Sequence, residues 1–327
     1  MTRKPGTPMQ IQPQRPVTAD EIATYRRDGV VLLKGILGRE WVELLDRAID
    51  DLARNPKGQA IDFTGLSMAA AGAAADVVAE GEWKKESEPG KKAWASPTAL
   101  ATNILREKAE VKEGERGHFL SLTGVFRRYQ PINSLVCNSP VPAIASALMN
   151  SRKVIVYDDQ ILLKPPMTLE KTAWHQDNGY DHVTGDQLCG VRIPTTGETD
   201  LMGPIQYLRG SHLDGQIYKV NYFITNAGNS EDPNPEVPNV EGHEDDFDLI
   251  TYCPEPGDLV VHHLRTLHGA GGNVSSTPRK AITIRYCGDD ARYLYRPFAP
   301  PQDVFDLKDG DILEKDSEHH PVVWPRS

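Results

Sequence analysis

Trp174-His175-Gln176-Asp177-Asn178-Gly179-Tyr180 sets an imidazole and a carboxylate two residues apart. In extended backbone, residues i and i+2 project to the same side, so His175 and Asp177 can address one ion together. A third ligand must come from elsewhere. The best candidate is His268, in Gly257-Asp258-Leu259-Val260-Val261-His262-His263-Leu264-Arg265-Thr266-Leu267-His268-Gly269. Eleven residues further on, Arg279 stands just before the alternating run Ala281 to Tyr286. If these segments are adjacent antiparallel strands joined by a flexible Gly269-Ala270-Gly271-Gly272 turn, His268 and Arg279 face one cavity. An Arg there can grip a carboxylate through two parallel hydrogen bonds, which suits a dicarboxylate cosubstrate such as 2-oxoglutarate. Two histidines and a carboxylate with the remaining positions open match the ligand set of non-haem Fe(II) sites.

The rest of the chain bounds this reading. Its 327 residues can bury a substantial core, and 39% hydrophobic with 25% charged residues is the balance of a globular protein. A net charge of -10 argues against a nucleic-acid binder, because phosphate neutralisation needs clustered Lys and Arg. The Pro-rich, polar stretch Met1 to Pro16 lacks a signal peptide's apolar core, and no run approaches the roughly 18 apolar residues of a membrane helix. The expectation is therefore a cytoplasmic protein, monomer or homodimer, without membrane or nucleic-acid partners. Cys137, Cys189, Cys253 and Cys287 form no Cys-x-x-Cys and read as reduced, mostly buried thiols.

Along the chain, Thr18-Ala19-Asp20-Glu21 reads as a capping box opening a short helix that stops at Gly29. Val30 to Lys34 is a strand candidate, and Trp41, Leu44, Leu45, Ala48, Ile49 and Leu52 recur at helical spacing. Residues 55 to 117, with an Ala-rich run from Ala69 to Ala75, predict short helices and mobile loops. Ser139-Pro140 opens another helix through Met149. The texture then turns to short β segments: Lys153 to Tyr157, Gln160 to Lys164, Leu188 to Ile193, Ile205 to Leu208, Leu259 to His263 and Ala281 to Tyr286. Such spacing without intervening helices predicts antiparallel sheets closed as a sandwich or barrel. The polar insertion 213 to 256 reads as a solvated loop or a lid. The simplest organisation is one domain over 1 to 327: a flexible N-terminus (1 to 17), helical decoration with the first strands (18 to 150), a β core (151 to 290) and a C-terminal extension (291 to 327).

Several segments together carry a family likeness. They are Gly29-Val30-Val31, Leu163-Lys164-Pro165-Pro166, His175-Gln176-Asp177, Tyr207-Leu208-Arg209-Gly210-Ser211-His212, and His268-Gly269-Ala270-Gly271 leading to Pro278-Arg279-Lys280-Ala281. Over most of residues 18 to 290 the chain resembles the phytanoyl-CoA dioxygenase family of Fe(II)- and 2-oxoglutarate-dependent oxygenases. The resemblance implies a mainly β fold with flanking helices around a double-stranded β-helix, the cupin-like jelly roll. It implies Fe(II) at His175, Asp177 and His268, the distal carboxylate of 2-oxoglutarate at Arg279, and Gln160 facing the cosubstrate. The implied reaction consumes O₂ and 2-oxoglutarate, releases succinate and CO₂, and hydroxylates or otherwise oxidises a C–H bond of a small organic molecule or secondary metabolite.

The chain also departs from the family pattern. Arg192 stands where the family often has an aromatic residue on the strand after the metal motif. It contacts cosubstrate or an anionic substrate, or pairs with a carboxylate. Arg209 replaces the usual Pro before Gly-Ser-His, and Asp200-Leu201-Met202-Gly203 replaces the usual Glu-Asn-Gly. Related halogenases place a small residue where this chain has Asp177, so the carboxylate favours hydroxylase-type chemistry. His262 and His263 alternate across a strand, so at most one faces the cavity; both, with His212, read as structural groups or supports of the site. Tyr180 and His182, just after the metal motif, are candidate substrate contacts. The rival functions are a non-redox cupin-like metal-binding protein or isomerase, which has no need for Arg279, and a zinc hydrolase using the same three ligands.

Overall fold

The first helix forms as its ends dictate. In the computed structural model, Thr18 Oγ1 accepts from the Glu21 N–H at 3.2 Å, and the Glu21 carboxylate accepts from the Thr18 N–H at 2.8 Å. Both orphan donors at the start of α1 (Ala19–Asp28) are thereby satisfied. Gly29 ends the helix at φ +75°, where a Cβ would stand 2.4 Å from His212 Nδ1, so glycine is required by both backbone and space. The chain then enters β1 (Val30–Leu33) and α2 (Arg39–Arg54), whose Trp41, Leu45, Ala48, Ile49 and Leu52 form one buried face. The structure describes residues 9–55, 59–62, 119–166, 168, 170–221, 228, 230–300 and 306–326. The Ala69 to Ala75 run and most of the 55 to 117 expectation lie outside the described residues.

After β2 (Gln59–Asp62) and β3 (Leu120–Thr123) come α3 (Gln130–Asn138) and α4 (Val141–Met149), each with Pro in its first turn, where a missing N–H costs little. Gln130–Met149 together is long and apolar enough to cross a membrane by length and composition, contrary to the expectation of no such run. Ser139-Pro140 interrupts it, and 61% of the window is buried against the protein's own core.

The remaining elements build two antiparallel sheets and a separate two-stranded β6-β13 ladder. They are β4 (Val154–Lys164), β5 (Thr172–His175), the single turn α5 (Asp177–Tyr180), β6 (Val183–Thr184), β7 (Leu188–Pro194), β8 (Ile205–Leu208), β9 (Leu249–Thr251), β10 (Leu259–His263), β11 (His268–Ala270), β12 (Arg279–Cys287), β13 (Arg292–Tyr293) and β14 (Val322–Trp324). The larger sheet runs β1-β10-β7-β12-β4-β3-β2, with β14 also paired to β4; the smaller runs β5-β11-β8-β9. The fold is a jelly roll. Helices α1 to α4 pack on the outer face of the larger sheet through a cluster that includes Leu45, Leu135, Ile144, Val156, Val191 and Ile284.

Three expectations change here. The two segments flanking Asp158-Asp159 are one eleven-residue strand, β4, with a register shift opposite Arg285 and Tyr286. Asp159 is buried and accepts from the Phe126 N–H at 3.0 Å, both aspartates keep their β12 partners, and the bulged residue is Tyr157 beside them. His268 and Arg279 are not on adjacent strands, because β11 pairs β5 and β8 whereas β12 pairs β4 and β7. They face each other from opposite sheets. The Gly269-Ala270 part of the expected turn belongs to β11. The insertion also supplies β9 to the smaller sheet and packs Val237, Val240 and Phe247 around Trp174. That cluster anchors it to the strand carrying the His-x-Asp motif.

Candidate active site

Strand pairing delivers the two histidines. His268 is the direct partner of His175 across β11 and β5, and their ring centroids are 4.3 Å apart. Each Nδ1 donates to a backbone carbonyl two residues upstream: His175 to Ala173 at 2.7 Å and His268 to Thr266 at 2.9 Å. That bond fixes the tautomer, placing the lone pair on Nε2. Asp177 is not itself in a strand, since it begins α5. Gln176 is nevertheless extended (φ −108°, ψ 135°), so the alternation carries the carboxylate to the side of His175. The ligand atoms of His175, Asp177 and His268 lie within 4.8 Å of one another, and all three residues are buried.

The protonation states suit a divalent cation. Burial pushes the His175 pKa down, and burial together with His175 takes that of His268 well below the ordinary histidine value. For Asp177, burial alone would raise the pKa, but Arg285 and His262 hold it well below the usual carboxylate range. Two neutral imidazoles and one ionised carboxylate on a single face are the donors an open Fe(II) site requires. Arg285 Nη2 donates to Asp177 Oδ1 at 2.7 Å and His262 Nε2 to Oδ2 at 2.8 Å. Of the two candidate strand histidines, His262 therefore faces the site. His263 turns outward, its Nε2 donating to the Asp186 carbonyl at 3.0 Å.

The cavity between the sheets is lined alternately from β4 and β12. Gln160, Leu162 and Lys164 come from one strand, and Arg279, Ala281, Thr283 and Arg285 from the other. At one end Arg279 is buried, its Nη1 donating to the Gly203 carbonyl at 2.7 Å and its Nε to Glu198 Oε1 at 3.3 Å. Arg192, from β7, bonds the same Glu198 oxygen, so two guanidiniums share one buried carboxylate. Burial would raise the Glu198 pKa, but Arg192 and Arg279 hold it down. The Arg192 ion pair is thus a buried one in the cavity wall. Lys164 stands opposite Arg279 in the strand register and donates to the carbonyls of Glu170 and Gly271; burial drives its pKa well down.

Two polar atoms beside this end lack hydrogen-bond partners: Glu198 Oε2 and the hydroxyl of Tyr207, whose ring stacks on His268 at 5.6 Å. Buried orphans of this kind mark a place built for a further polar group. Dense donors at Arg279 and Arg192, with the metal-ligand triad alongside, fit a dicarboxylate that chelates the metal.

The other expected residues divide. Gln160 lines the cavity, accepting from Arg285 Nη2 at 3.1 Å and donating to Ser121 Oγ at 3.0 Å. Tyr180 packs edge-on against the His175 ring, and its hydroxyl donates to Asn221 Oδ1 at 2.7 Å, so it braces a ligand from behind. His182 is directed away from the cavity: its Nε2 donates to the Pro300 carbonyl at 2.9 Å, its Nδ1 accepts from the Arg296 N–H at 3.0 Å, and its ring stacks on Tyr295. Neither residue lines the cavity. Arg285, Glu198, Lys164 and Tyr207 were missed as site residues. Arg285 and Lys164 were detectable, because each lies an even number of strand residues from an expected cavity group. Arg209, where the family has Pro, ties the end of α1 to the insertion through Asp28 at 2.8 Å and Asp248 at 2.9 Å.

The sequence profile described as phytanoyl-CoA dioxygenase (PhyH) matches residues 25–281. The chain is 28% identical over 169 residues to a probable alpha-ketoglutarate-dependent hypophosphite dioxygenase of Stutzerimonas stutzeri, covering 50% of this chain and 55% of that protein. It is 22% identical over 281 residues to the ectoine dioxygenase of Bordetella bronchiseptica, covering 83% of this chain and 75% of that one. Among solved structures, the epimerase SnoN in complex with Fe3+, alpha ketoglutarate and nogalamycin RO superposes with a TM-score of 0.62 at 18% identity, covering 93% and 97% of the two chains. EctD from S. alaskensis with 2-oxoglutarate and 5-hydroxyectoine gives 0.58 at 16% identity, covering 93% and 88%. At such identities the structural likeness establishes the shared fold.

Proposed function

The chain belongs to the phytanoyl-CoA dioxygenase family, and we propose that His175, Asp177 and His268 hold its Fe(II) while Arg279 holds 2-oxoglutarate. The protein is an Fe(II)- and 2-oxoglutarate-dependent dioxygenase. The observation that carries the residue assignment is the convergence of three buried donors from β5, α5 and β11 on one point, with Arg279 facing them from the opposite sheet.

Iron, when bound, supplies O₂ activation coupled to decarboxylation of 2-oxoglutarate to succinate and CO₂. The protein's residues bind, orient and exclude. Arg279 and Arg192 offer a fixed pair of guanidiniums to the distal carboxylate, where charge-assisted bonds in a buried setting are strong. Glu198 keeps these two like charges together. Gln160 and Thr283 present polar groups in the cavity wall, Gln160 beside Arg285, and Leu162, Ile205, Ala270 and Ala281 keep the wall between apolar, limiting water at the reacting centre.

The substrate is a small organic molecule, with secondary metabolites one such class, oxidised at an unactivated C–H bond by hydroxylation or a related outcome. Asp177 occupies the position that chloride would need in a halogenase. The enzyme works as a monomer or homodimer in the cytoplasm, where Fe(II) and free thiols persist. The test is to incubate Fe(II)-loaded protein with 2-oxoglutarate and candidate small molecules, with and without O₂. Succinate formation that requires both iron and O₂ supports the assignment. Turnover that proceeds anaerobically would instead identify a hydrolase.

A further inference from the structure

Asp177 is held on both of its oxygens by residues distant in sequence. Arg285, on β12, donates to Oδ1 at 2.7 Å, and His262, on β10, donates to Oδ2 at 2.8 Å. All three side chains are buried or nearly so, at 11% exposure for Arg285, 2% for His262 and 4% for Asp177.

Each donor is itself placed. The same Arg285 Nη2 also donates to Gln160 Oε1 at 3.1 Å, and Gln160 Nε2 donates to Ser121 Oγ at 3.0 Å, so the guanidinium is braced across three strands. The bulge between β4 and β12 falls at Arg285, the kind of register shift that re-aims a side chain beside a site. On the far side, His262 lies against its register partner Gly190, where an added Cβ would stand 2.5 Å from His262 Cε1. Only glycine leaves the ring that room. His262 Nδ1 is buried without a hydrogen-bond partner, a cost the fold accepts while Nε2 reaches Asp177.

An aspartate's terminal torsion is broad and two-fold, so an unrestrained Asp177 would rotate and offer a metal either one oxygen or both. One donor on each oxygen fixes that rotation and occupies lone pairs on both. We propose that His262 and Arg285 are positioning residues that clamp Asp177, so that the carboxylate meets the metal through a single oxygen and the opposite positions stay open for cosubstrate. This rests on the metal-site reading above.

The test measures Co(II) binding by calorimetry on the full-length apo protein, with folding checked by circular dichroism. H262L and R285K are informative because neither replaces a charged side chain with a neutral one at Arg285 or alters the Asp177 charge. The clamp predicts that each weakens Co(II) binding by about 10- to 100-fold, the usual cost of losing a ligand's hydrogen-bond partner. H262Q, which keeps a donor toward Oδ2, restores most of the affinity. In a D177A background, H262L and R285K cause no further loss, because the residue they act through is gone. Wild-type affinity in H262L or R285K, or an equal loss with and without Asp177, would overturn the clamp. Failure of the wild-type protein to bind Co(II) at all would instead overturn the metal-site reading.

Discussion

His268 and His175 are direct partners across β11 and β5, so backbone hydrogen bonds set the spacing of the two imidazoles before any metal arrives. The His175 Nδ1 is tied to the Ala173 carbonyl of its own strand, and the His268 Nδ1 to the Thr266 carbonyl just before β11. The site is consequently preorganised, and removing one imidazole leaves its neighbours in place. H268A is expected to lose metal affinity and 2-oxoglutarate turnover while its circular dichroism and thermal midpoint stay close to wild type. Retained turnover in H268A would mean that another histidine is the third ligand.

Asp177 behaves differently from the histidines when removed. Without it, His262 loses its partner and Arg285 loses the shorter of its two buried ion pairs, keeping only Asp181 at 3.7 Å; removing one partner of a buried ion pair costs up to about 3 to 5 kcal/mol. D177A should therefore unfold at clearly lower temperature or denaturant concentration than H268A, although both are inactive. Equal stability of the two variants would show that Asp181 alone compensates Arg285. Sequence alone predicts no such difference, because it shows Asp177 only as a ligand.

Gly190 sets the position of His262. A methyl group there meets the imidazole at 2.5 Å, and overpacking of this kind costs about 1 to 3 kcal/mol. G190A is expected to be destabilised by that order in urea titrations. A neutral effect on stability would mean that the His262 ring has somewhere else to go.

Arg279 should show its role in the concentration dependence of 2-oxoglutarate. R279K keeps the charge but loses the planar fork, and a charge-assisted hydrogen bond is worth about 1.5 to 3 kcal/mol, or about 10- to 100-fold in affinity. The expected outcome is a KM for 2-oxoglutarate raised by that factor with a smaller change in kcat. A KM unaltered in R279K and R279A would place the distal carboxylate elsewhere in the cavity.

One pH effect follows from a residue far from the metal. Burial pushes the His320 pKa down to about 4, with Arg127 adding to it, and its ring stacks on Tyr157 at 5.3 Å. An unfolded histidine titrates near about 6.5, so between there and about 4 the unfolded chain binds the extra proton. Stability contributed by neutral His320 is thus present above about pH 6.5 and lost as pH falls toward about 4. H320F, which keeps a stacking ring and cannot titrate, should lose less stability between pH 7 and pH 5 than the wild type. An identical pH profile for the two would show that His320 does not drive the acid-side loss.

Much of this was legible in the sequence, and the failures have physical causes. Period-two alternation exposed the strands, and the spacing of His175, Asp177, His268 and Arg279 reflected real proximity. Spacing does not say which sheet a strand joins, so His268 and Arg279 were expected side by side when they oppose each other. Asp158-Asp159 separated two expected strands because a buried aspartate inside a strand is rare; burial raises the Asp159 pKa to about 7, with Asp158 adding to it. His182 looked available because it follows the metal motif, but Arg296 and Pro300, more than a hundred residues later, take both of its nitrogens. Glu198 carries no local pattern, and its task exists only where β7 and β12 bring two arginines together.

His175, Asp177 and His268 are proposed to present Fe(II) to 2-oxoglutarate anchored at Arg279. The most direct measurement of this is an anaerobic titration of Fe(II)-loaded protein with 2-oxoglutarate, following the visible charge-transfer absorption that arises when a 2-oxo acid chelates Fe(II). The band should appear and saturate in the wild type, be absent in H268A, and require much higher 2-oxoglutarate in R279A. Iron-loaded wild-type protein that develops no such band, or an H268A variant that develops it as the wild type does, would contradict the proposal.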